Sequence, residues 1–390
     1  MTSGPLDGVT VVEFAGIGPA PFVAMLLADM GARVIRIDRV GGPSADYTPN
    51  PVLERSRESI AVNLKDDDGK AVVAAIIARA DVVVEGFRPG VMERLGLGPA
   101  ELLSVNTRLV YARITGWGQT GPLAGEVGHD ITYTAITGAL HSFGEADRPP
   151  VAPLNLVGDF GGAALHGAFG IACALLAAER SGVGQVVDAN VVDGTNSLMA
   201  LVHGLRAMDK WRDDRETNLL DGAAPYYRTY RCSDDRFVAV GCIERRFFAE
   251  LLDVMELDPT LIDAHGNRGM WSSTTEILRA RFAERTRDEW AAAATGRDAC
   301  LAPVLDLAEA AGYPHAQARQ NYLPIDGFDA DHRQPRPAPR FSETPTAEPR
   351  PAPTPGASTR SILAEHGFDE ATINRLITQR SVAMQGEDPT

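Results

Sequence analysis

Short β-branched runs alternate with longer apolar stretches through the first third of the chain. Residues 9–14 read as a strand, 19–32 as a helix carrying Met25, Leu26 and Leu27, and 34–38 as the next strand. Residues 70–80 read as a helix, and 81–84 and 109–114 as strands. Strand, helix, strand at this spacing predicts right-handed βαβ crossovers and a parallel sheet. The middle of the chain has a different texture. Residues 160–179 are apolar nearly all round, which predicts a buried helix, and Gly161, Gly162, Gly167 and Gly170 in it allow close backbone approach. A strand at 185–192 and a helix at 196–208 follow.

A second unit is predicted to begin near Ala224. Two strand-like runs, 226–232 and 236–242, are joined by Ser233-Asp234-Asp235 and read as a hairpin. Residues 247–255 and 276–285 read as helices. Residues 335–355 hold eight prolines and are expected to run extended over a surface. The last apolar pattern, 362–376, reads as a helix docking on the first domain. The predicted division is a large domain over 1–198 completed by 331–390, a linker over 199–223, a small domain over 224–310, and a return linker over 311–330.

A length of 390 residues suits two domains, or one large α/β domain with an insertion. The formal net charge of -15 argues against broad nucleic-acid or anionic-membrane binding, which needs clustered Lys and Arg. It leaves room for an anionic ligand held by a few local arginines. The four cysteines, Cys173, Cys232, Cys242 and Cys300, match no zinc spacing, so no metal site is expected. Cys173 reads as buried core, and the simplest compartment is a reducing, cytoplasmic one. No run of 18 apolar residues is free of charge, and none is expected to span a membrane.

Five segments carry candidate chemistry. Gly16-Ile17-Gly18-Pro19-Ala20-Pro21 follows a strand, opens a helix, and has Asp38 downstream, as a dinucleotide fingerprint does. Pro21 stands where the third glycine belongs, so a tight βα turn is the competing reading. Gly128-His129-Asp130 offers an imidazole, which titrates near neutrality and suits proton abstraction and return. Asp159, in Gly158-Asp159-Phe160-Gly161-Gly162, is either a helix cap or an acid/base carboxylate. Backbone N–H groups beside it could hold an oxyanion. Glu244 lies just past a predicted strand, although a solvated glutamate is the default for that residue type. Arg36, Arg39, Arg88 and Arg94 cluster around strand ends, where they form either a phosphate clamp or a solvated basic face.

Together these segments resemble a known family. Val11-Val12-Glu13-Phe14-Ala15-Gly16-Ile17-Gly18-Pro19, Ala28-Asp29-Met30-Gly31-Ala32, Glu85-Gly86-Phe87-Arg88-Pro89-Gly90, Thr115-Gly116-Trp117-Gly118-Gln119-Thr120-Gly121-Pro122 and Gly184-Gln185-Val186-Val187-Asp188 are similar to the family III CoA-transferase (CaiB/BaiF) superfamily. They run in order from Leu6 to the C-terminal helix. Within it the sequence resembles the α-methylacyl-CoA racemases, which carry Gly-His-Asp where the transferases generally carry an aromatic residue before the Asp.

The resemblance implies an α/β fold with a Rossmann-like parallel-sheet large domain and a smaller α+β domain, in an interlocked homodimer. It implies an isomerase of lipid metabolism that removes and returns the α-proton of a 2-methylacyl-CoA thioester. His129 and Asp159 are the implied bases on opposite faces, the His associated with the (S) proton and the Asp with the (R) proton. Glu244 matches the carboxylate that pairs with the His, supplied by the other subunit. Gly16, Ile17, Arg39, Arg88, Arg94, Asp130 and Tyr133 are the implied contacts to the CoA thioester. CoA is part of the substrate, and no separate cofactor is implied. The alternative is CoA transfer between carboxylic acids, with Asp159 as nucleophile and acyl anhydride. Two departures stand out. Arg245-Arg246 follows Glu244 where close racemases have Pro-Gln, and the run after Asp193 is less Met-rich than a racemase acyl surface, with Met25, Met199 and Met208 present.

Overall fold

The computed structural model describes residues 4–42, 48–329, 331–346 and 348–386. The chain forms two compact units. The first comprises residues 1–137, 154–198 and 315–390, and the second 138–153 and 199–314. Residues 138–153, which the sequence reading left inside the first domain, therefore pack with the second unit.

The first unit is built on strands β1 (Thr10–Phe14), β2 (Arg33–Arg39), β3 (Arg57–Val62), β4 (Val82–Glu85), β5 (Val110–Thr115) and β6 (Gln185–Asn190). They pair in parallel in the order β3-β2-β1-β4-β5-β6, as in dinucleotide-binding sheets. In such a sheet the strand order reverses between β1 and β4, and the crevice beyond their carboxyl ends is where a ligand fits. The parallel sheet is the predicted one, with one strand unforeseen. β3 opens on Arg57 and Glu58, and those charges hide its period. The Arg57 guanidinium is buried against the Glu13 carboxylate of β1 at 2.5 Å, so this charged residue faces inward, while Glu58 pairs at the partly exposed side with Arg33.

The helical region after residue 155 departs from expectation. Leu156–Ala164 winds as a π-helix and continues as an α-helix over Leu165–Ser181. Ile171, Ala174 and Ala178 are buried, whereas Leu165, Phe169 and Leu176 are exposed, so the helix is covered on one face only. Cys173 is exposed on the open face, not in the core. Leu156–Ser181 is long and apolar enough to cross a membrane by composition, contrary to the sequence count, and one third of its most apolar window is buried. The expected helix at 196–208 is two helices, Val191–Leu198 and Ala200–Ala207, broken at Met199.

The C-terminal pattern is likewise two helices, Thr359–Glu365 and Glu370–Thr378. Ile362, Leu363, Ile373 and Leu376 are buried in the core of the first unit. In the proline-rich return, the Arg350 N–H donates to Ser56 Oγ at 2.9 Å.

In the second unit Tyr227–Arg231 and Phe237–Gly241 form the predicted antiparallel hairpin, with Asp235 taking positive φ in the turn. A third strand, Leu301–Pro303, pairs with Phe237–Gly241. Helices Arg245–Val254, Arg268–Phe282 and Arg287–Ala294 supply a core around Phe248, Leu251, Phe282 and Trp290.

Candidate active site

Two cavities lie beyond the carboxyl ends of the parallel strands. One, of about 510 Å³, is lined by Gly16, Ile17, Asp38, Arg39, Lys65 and Phe87, among others. The other, of about 530 Å³, brings together His129, Asp130, Tyr133, Asn155 and Asp159. Ile17 and Phe87 line both.

The glycine loop after β1 makes room between them. Gly18 caps the Pro19–Asp29 helix at φ 73°, ψ -133°, a conformation open to glycine and strained for other residues. A β-carbon there would lie 3.6 Å from Asp159 Oδ2, so this turn delivers the loop backbone to the Asp159 carboxylate. Asp38 does not serve as a free ribose acceptor. It is buried, accepts from Ser59 Oγ at 2.6 Å and pairs with Arg36 at 3.1 Å. Arg36 also meets Glu54 at 2.6 Å and is buried, so it is a structural ion-pair partner and not a solvated clamp.

His129 stands at the N-cap of the Asp130–Ile136 helix, exposed. Its backbone is locked by Thr132, whose hydroxyl accepts the His129 N–H at 2.9 Å and donates to the His129 carbonyl at 2.7 Å. One turn on, the Tyr133 hydroxyl donates to the Gly128 carbonyl and its ring meets Trp117 edge-on at 4.7 Å. A β-carbon on Gly116 would fall 2.0 Å from the Tyr133 ring, and one on Gly128 2.4 Å. The glycines on either side of the site thus let the Tyr133 ring wedge the His129 loop in place.

Asp159 sits in the first turns of the π-helix and is not the cap, a position held by Asn155. Wide π turns are frequent at functional sites. The backbone N–H of Asp159 donates to Asp130 Oδ1 at 2.7 Å. A β-carbon at Gly158 would collide with Asp130 Oδ1 at 2.2 Å, so glycine is required there. The Asp159 N–H is therefore taken up by Asp130 and is not free to hold an oxyanion.

Burial pushes the Asp159 carboxyl up to about 6, and the neighbouring Asp130 charge adds to the rise. A long 3.5 Å hydrogen bond from Asn155 and the positive charge of His129 oppose it. The same environment lifts the Tyr133 phenol, through burial first and the Asp159 charge second, while Arg88 pulls it down. A carboxyl poised near neutrality beside an imidazole in one cavity can exchange protons with a bound substrate in both directions.

Of the remaining sequence candidates, Arg88 lines the His129 cavity and Arg39 the neighbouring one. Arg94 is exposed at the end of the short Val91–Arg94 helix and lines neither. Glu244 lies in the second unit, exposed, as N-cap of the Arg245–Val254 helix. Its neighbours are turned elsewhere: Arg245 reaches the Ile262 carbonyl at 3.2 Å and Asp263 at 3.4 Å, and Arg246 lies over the Phe247 ring. Asn155 was not foreseen. An asparagine at the helix N-cap reads in sequence as a capping residue, and its type carries no mark of the contact it makes with the carboxylate four residues on.

Comparison with known proteins agrees with this arrangement. The profile of CoA-transferase family III matches residues 6–359. The chain is 40% identical over 378 residues to the α-methylacyl-CoA racemase of Mus musculus, covering 97% of each protein, and 39% identical to that of Homo sapiens at the same coverage. It is 32% identical to the acetyl-CoA:oxalate CoA-transferase of Acetobacter aceti, over 87% of this chain and 94% of that one. A crystal structure of a CaiB/BaiF family protein from Brucella suis superposes with a TM-score of 0.79 at 26% identity, covering 93% of this chain and all of the other. The chain belongs to CoA-transferase family III.

Proposed function

We propose that this protein interconverts the (R) and (S) epimers of 2-methylacyl-CoA thioesters by removing and returning the α-proton. The observation that carries this reading is the pairing in one cavity of His129 with a carboxyl, Asp159, raised to about 6. Inversion at carbon needs one acid/base on each face. A thioester α-carbon held between His129 and Asp159 loses its proton to one and receives a proton from the other, with the enolate between. The mouse and human relatives, named as α-methylacyl-CoA racemases, support the substrate class.

In this reading the CoA moiety occupies the cavity at Gly16, Ile17 and Arg39, and the acyl end enters the His129 cavity past Ile17 and Phe87. Arg39 and Arg88 supply positive charge to phosphates. Arg94, exposed outside both cavities, is the implied phosphate contact that this arrangement supports least. Asp130 acts through Asp159, and Tyr133 holds the His129 loop. The reaction calls for no cofactor beyond the CoA of the substrate.

The assembly is an interlocked homodimer, in which Glu244 of one chain pairs with His129 of the other. The exposed apolar residues Leu165, Phe169, Leu176 and Val186 support an extensive contact with a second copy. The four cysteines are all unpaired, which fits a cytoplasmic setting. The reading involves no nucleic acid and no membrane.

The test is incubation of a single epimer of several 2-methylacyl-CoA esters in D₂O, following deuterium at the α-position and the epimer ratio. Deuterium uptake with epimerisation, lost in His129→Ala and in Asp159→Ala, is the expected result. No exchange with any acyl chain would sink the reading. If CoA moves to an added carboxylate and hydroxylamine traps an acyl group on Asp159, the transferase chemistry of the Acetobacter aceti relative applies instead.

A further inference from the structure

The second unit holds a basic cavity with no part in the chemistry above. It measures about 410 Å³ and is lined by Arg212, Arg228, Arg268 and Arg279, with Glu216 and Glu276 as its carboxylates. In a chain of net charge -15, four guanidinium groups around one hollow are a local reversal of sign. The two carboxylates leave half of that charge uncompensated. Glu276 is paired closely with Arg279 along one helix turn. Glu216 stands off from Arg228 at 3.9 Å, at the limit of an ion pair.

The arginines are held in place. Arg228 lies over the Tyr230 ring at 5.7 Å and Arg268 over the Trp271 ring at 5.6 Å. A guanidinium parked on an aromatic face keeps its planar donors directed and loses little freedom when an anion arrives. The loop carrying Arg212 is pinned from below. Buried Asn218 accepts the Arg212 N–H and donates to the Arg212 carbonyl, each at 2.9 Å. Most telling is Arg228 Nε, which is buried and meets no acceptor among the described residues. The chain thus leaves donor capacity of this guanidinium unused, while the part of the side chain that stays exposed lines the cavity beside Arg212 and Arg268.

We propose that this cavity is a binding site for a small multivalent oxyanion, of the diphosphate or polycarboxylate class, which accepts from Arg228 and is flanked by Arg212 and Arg268. Guanidinium forks match such oxygens two at a time, and a cavity of this volume admits a molecule the size of pyrophosphate or citrate with its hydration. The proposal is independent of the epimerase reading.

The experiment is isothermal titration calorimetry of the full chain with sodium pyrophosphate and, separately, with citrate, in a phosphate-free buffer of fixed ionic strength. Saturable binding of either probe at one site per chain, weakened at least tenfold in Arg268→Ala and in Arg228→Gln, is the expected result. Arg268 is exposed and its replacement leaves the core untouched, so it decides the matter if Arg228→Gln fails to fold. The two probes distinguish a phosphate ligand from a carboxylate one. Absence of binding by both, binding that survives the Arg268→Ala change, or displacement of the probe by CoA would each overturn the proposal, the last by placing the anion in the cavity at Arg39.

Discussion

The carboxylate of Asp130 accepts the backbone N–H of Asp159 at 2.7 Å, so the residue that follows His129 in sequence holds the turn that carries the second base. This one contact ties the two candidate bases to a common scaffold. It also sets a negative charge beside the Asp159 side chain and contributes to its raised pKa. Asp130→Asn keeps an acceptor for the N–H and removes the charge. The Asp159 carboxyl then ionises more readily, and the acid limb of the pH profile for α-proton exchange moves to lower pH. Asp130→Ala also strands the Asp159 N–H and lowers stability by about 1–3 kcal/mol. A limb that stays in place in Asp130→Asn would show that burial alone sets the Asp159 pKa.

The π-helix is seated on the neighbouring helix through glycine. A β-carbon on Gly194 would meet the Gly162 carbonyl oxygen at 2.0 Å, and backbone cannot swing aside as a side chain can. Gly194→Ala is expected to push Leu156–Ala164 away from Val191–Leu198, at a cost of about 1–3 kcal/mol or more. Activity falls further than stability because Asp159 rides on the displaced segment. Chemical denaturation and the exchange rate, measured on the same preparation, separate the two effects. Equal losses in both would argue that the site tolerates the shift.

Much of this was legible in the sequence. The β-branched runs with glycine turns point to the parallel sheet because Val11 and Val12 in β1, Val34, Ile35 and Ile37 in β2, and Val82 to Val84 in β4 bury apolar side chains on both faces, even though each strand also carries charged residues. The pairing of His129 with Asp159 came from resemblance, since neither residue alone distinguishes acid/base work from solvation or capping. What stayed hidden depends on partners distant in the chain. β3 was invisible because Arg57 reads as surface until Glu13, 44 residues away, is placed against it. The exposed face of Leu165–Ser181 was read as core because an apolar side chain looks the same whether its cover comes from its own chain or another. The role of Asp130 required the π turn, which no local pattern announces.

The Glu13–Arg57 pair carries its own expectation. Both side chains are fully buried, and Arg57 also donates to the Pro21 carbonyl at 2.6 Å, linking β1 and β3 to the helix behind the glycine loop. Removing one charge of a buried pair leaves the other uncompensated. Glu13→Gln should lower stability by about 3–5 kcal/mol, well above the effect of a surface ion pair such as Lys70–Asp67. Urea unfolding of Glu13→Gln beside Asp67→Asn makes the comparison. Similar small losses in the two variants would mean that solvent reaches Arg57 after the substitution.

Asp159 offers a test in which activity and stability move in opposite directions. Its carboxyl is raised from 3.8 to about 6 in the folded chain, so the native state binds that proton more tightly than the unfolded state does. Below about pH 4 the group is protonated in both states and costs nothing. Between about pH 4 and 6 the unfolded carboxyl ionises first and stability is lost, and above about pH 6 the full penalty stands. A shift of this size corresponds to on the order of 3 kcal/mol. Asp159→Asn removes the ionisation while keeping the shape. The variant should be more stable than the parent by about 2–3 kcal/mol at pH 8, with the gain shrinking to nothing near pH 4, and should lose epimerisation throughout. Urea midpoints at fixed protein concentration across that range read the difference directly. A gain that does not change with pH would mean that the carboxylate is not destabilised by its surroundings, and the case for Asp159 as a base held near neutrality would fall with it.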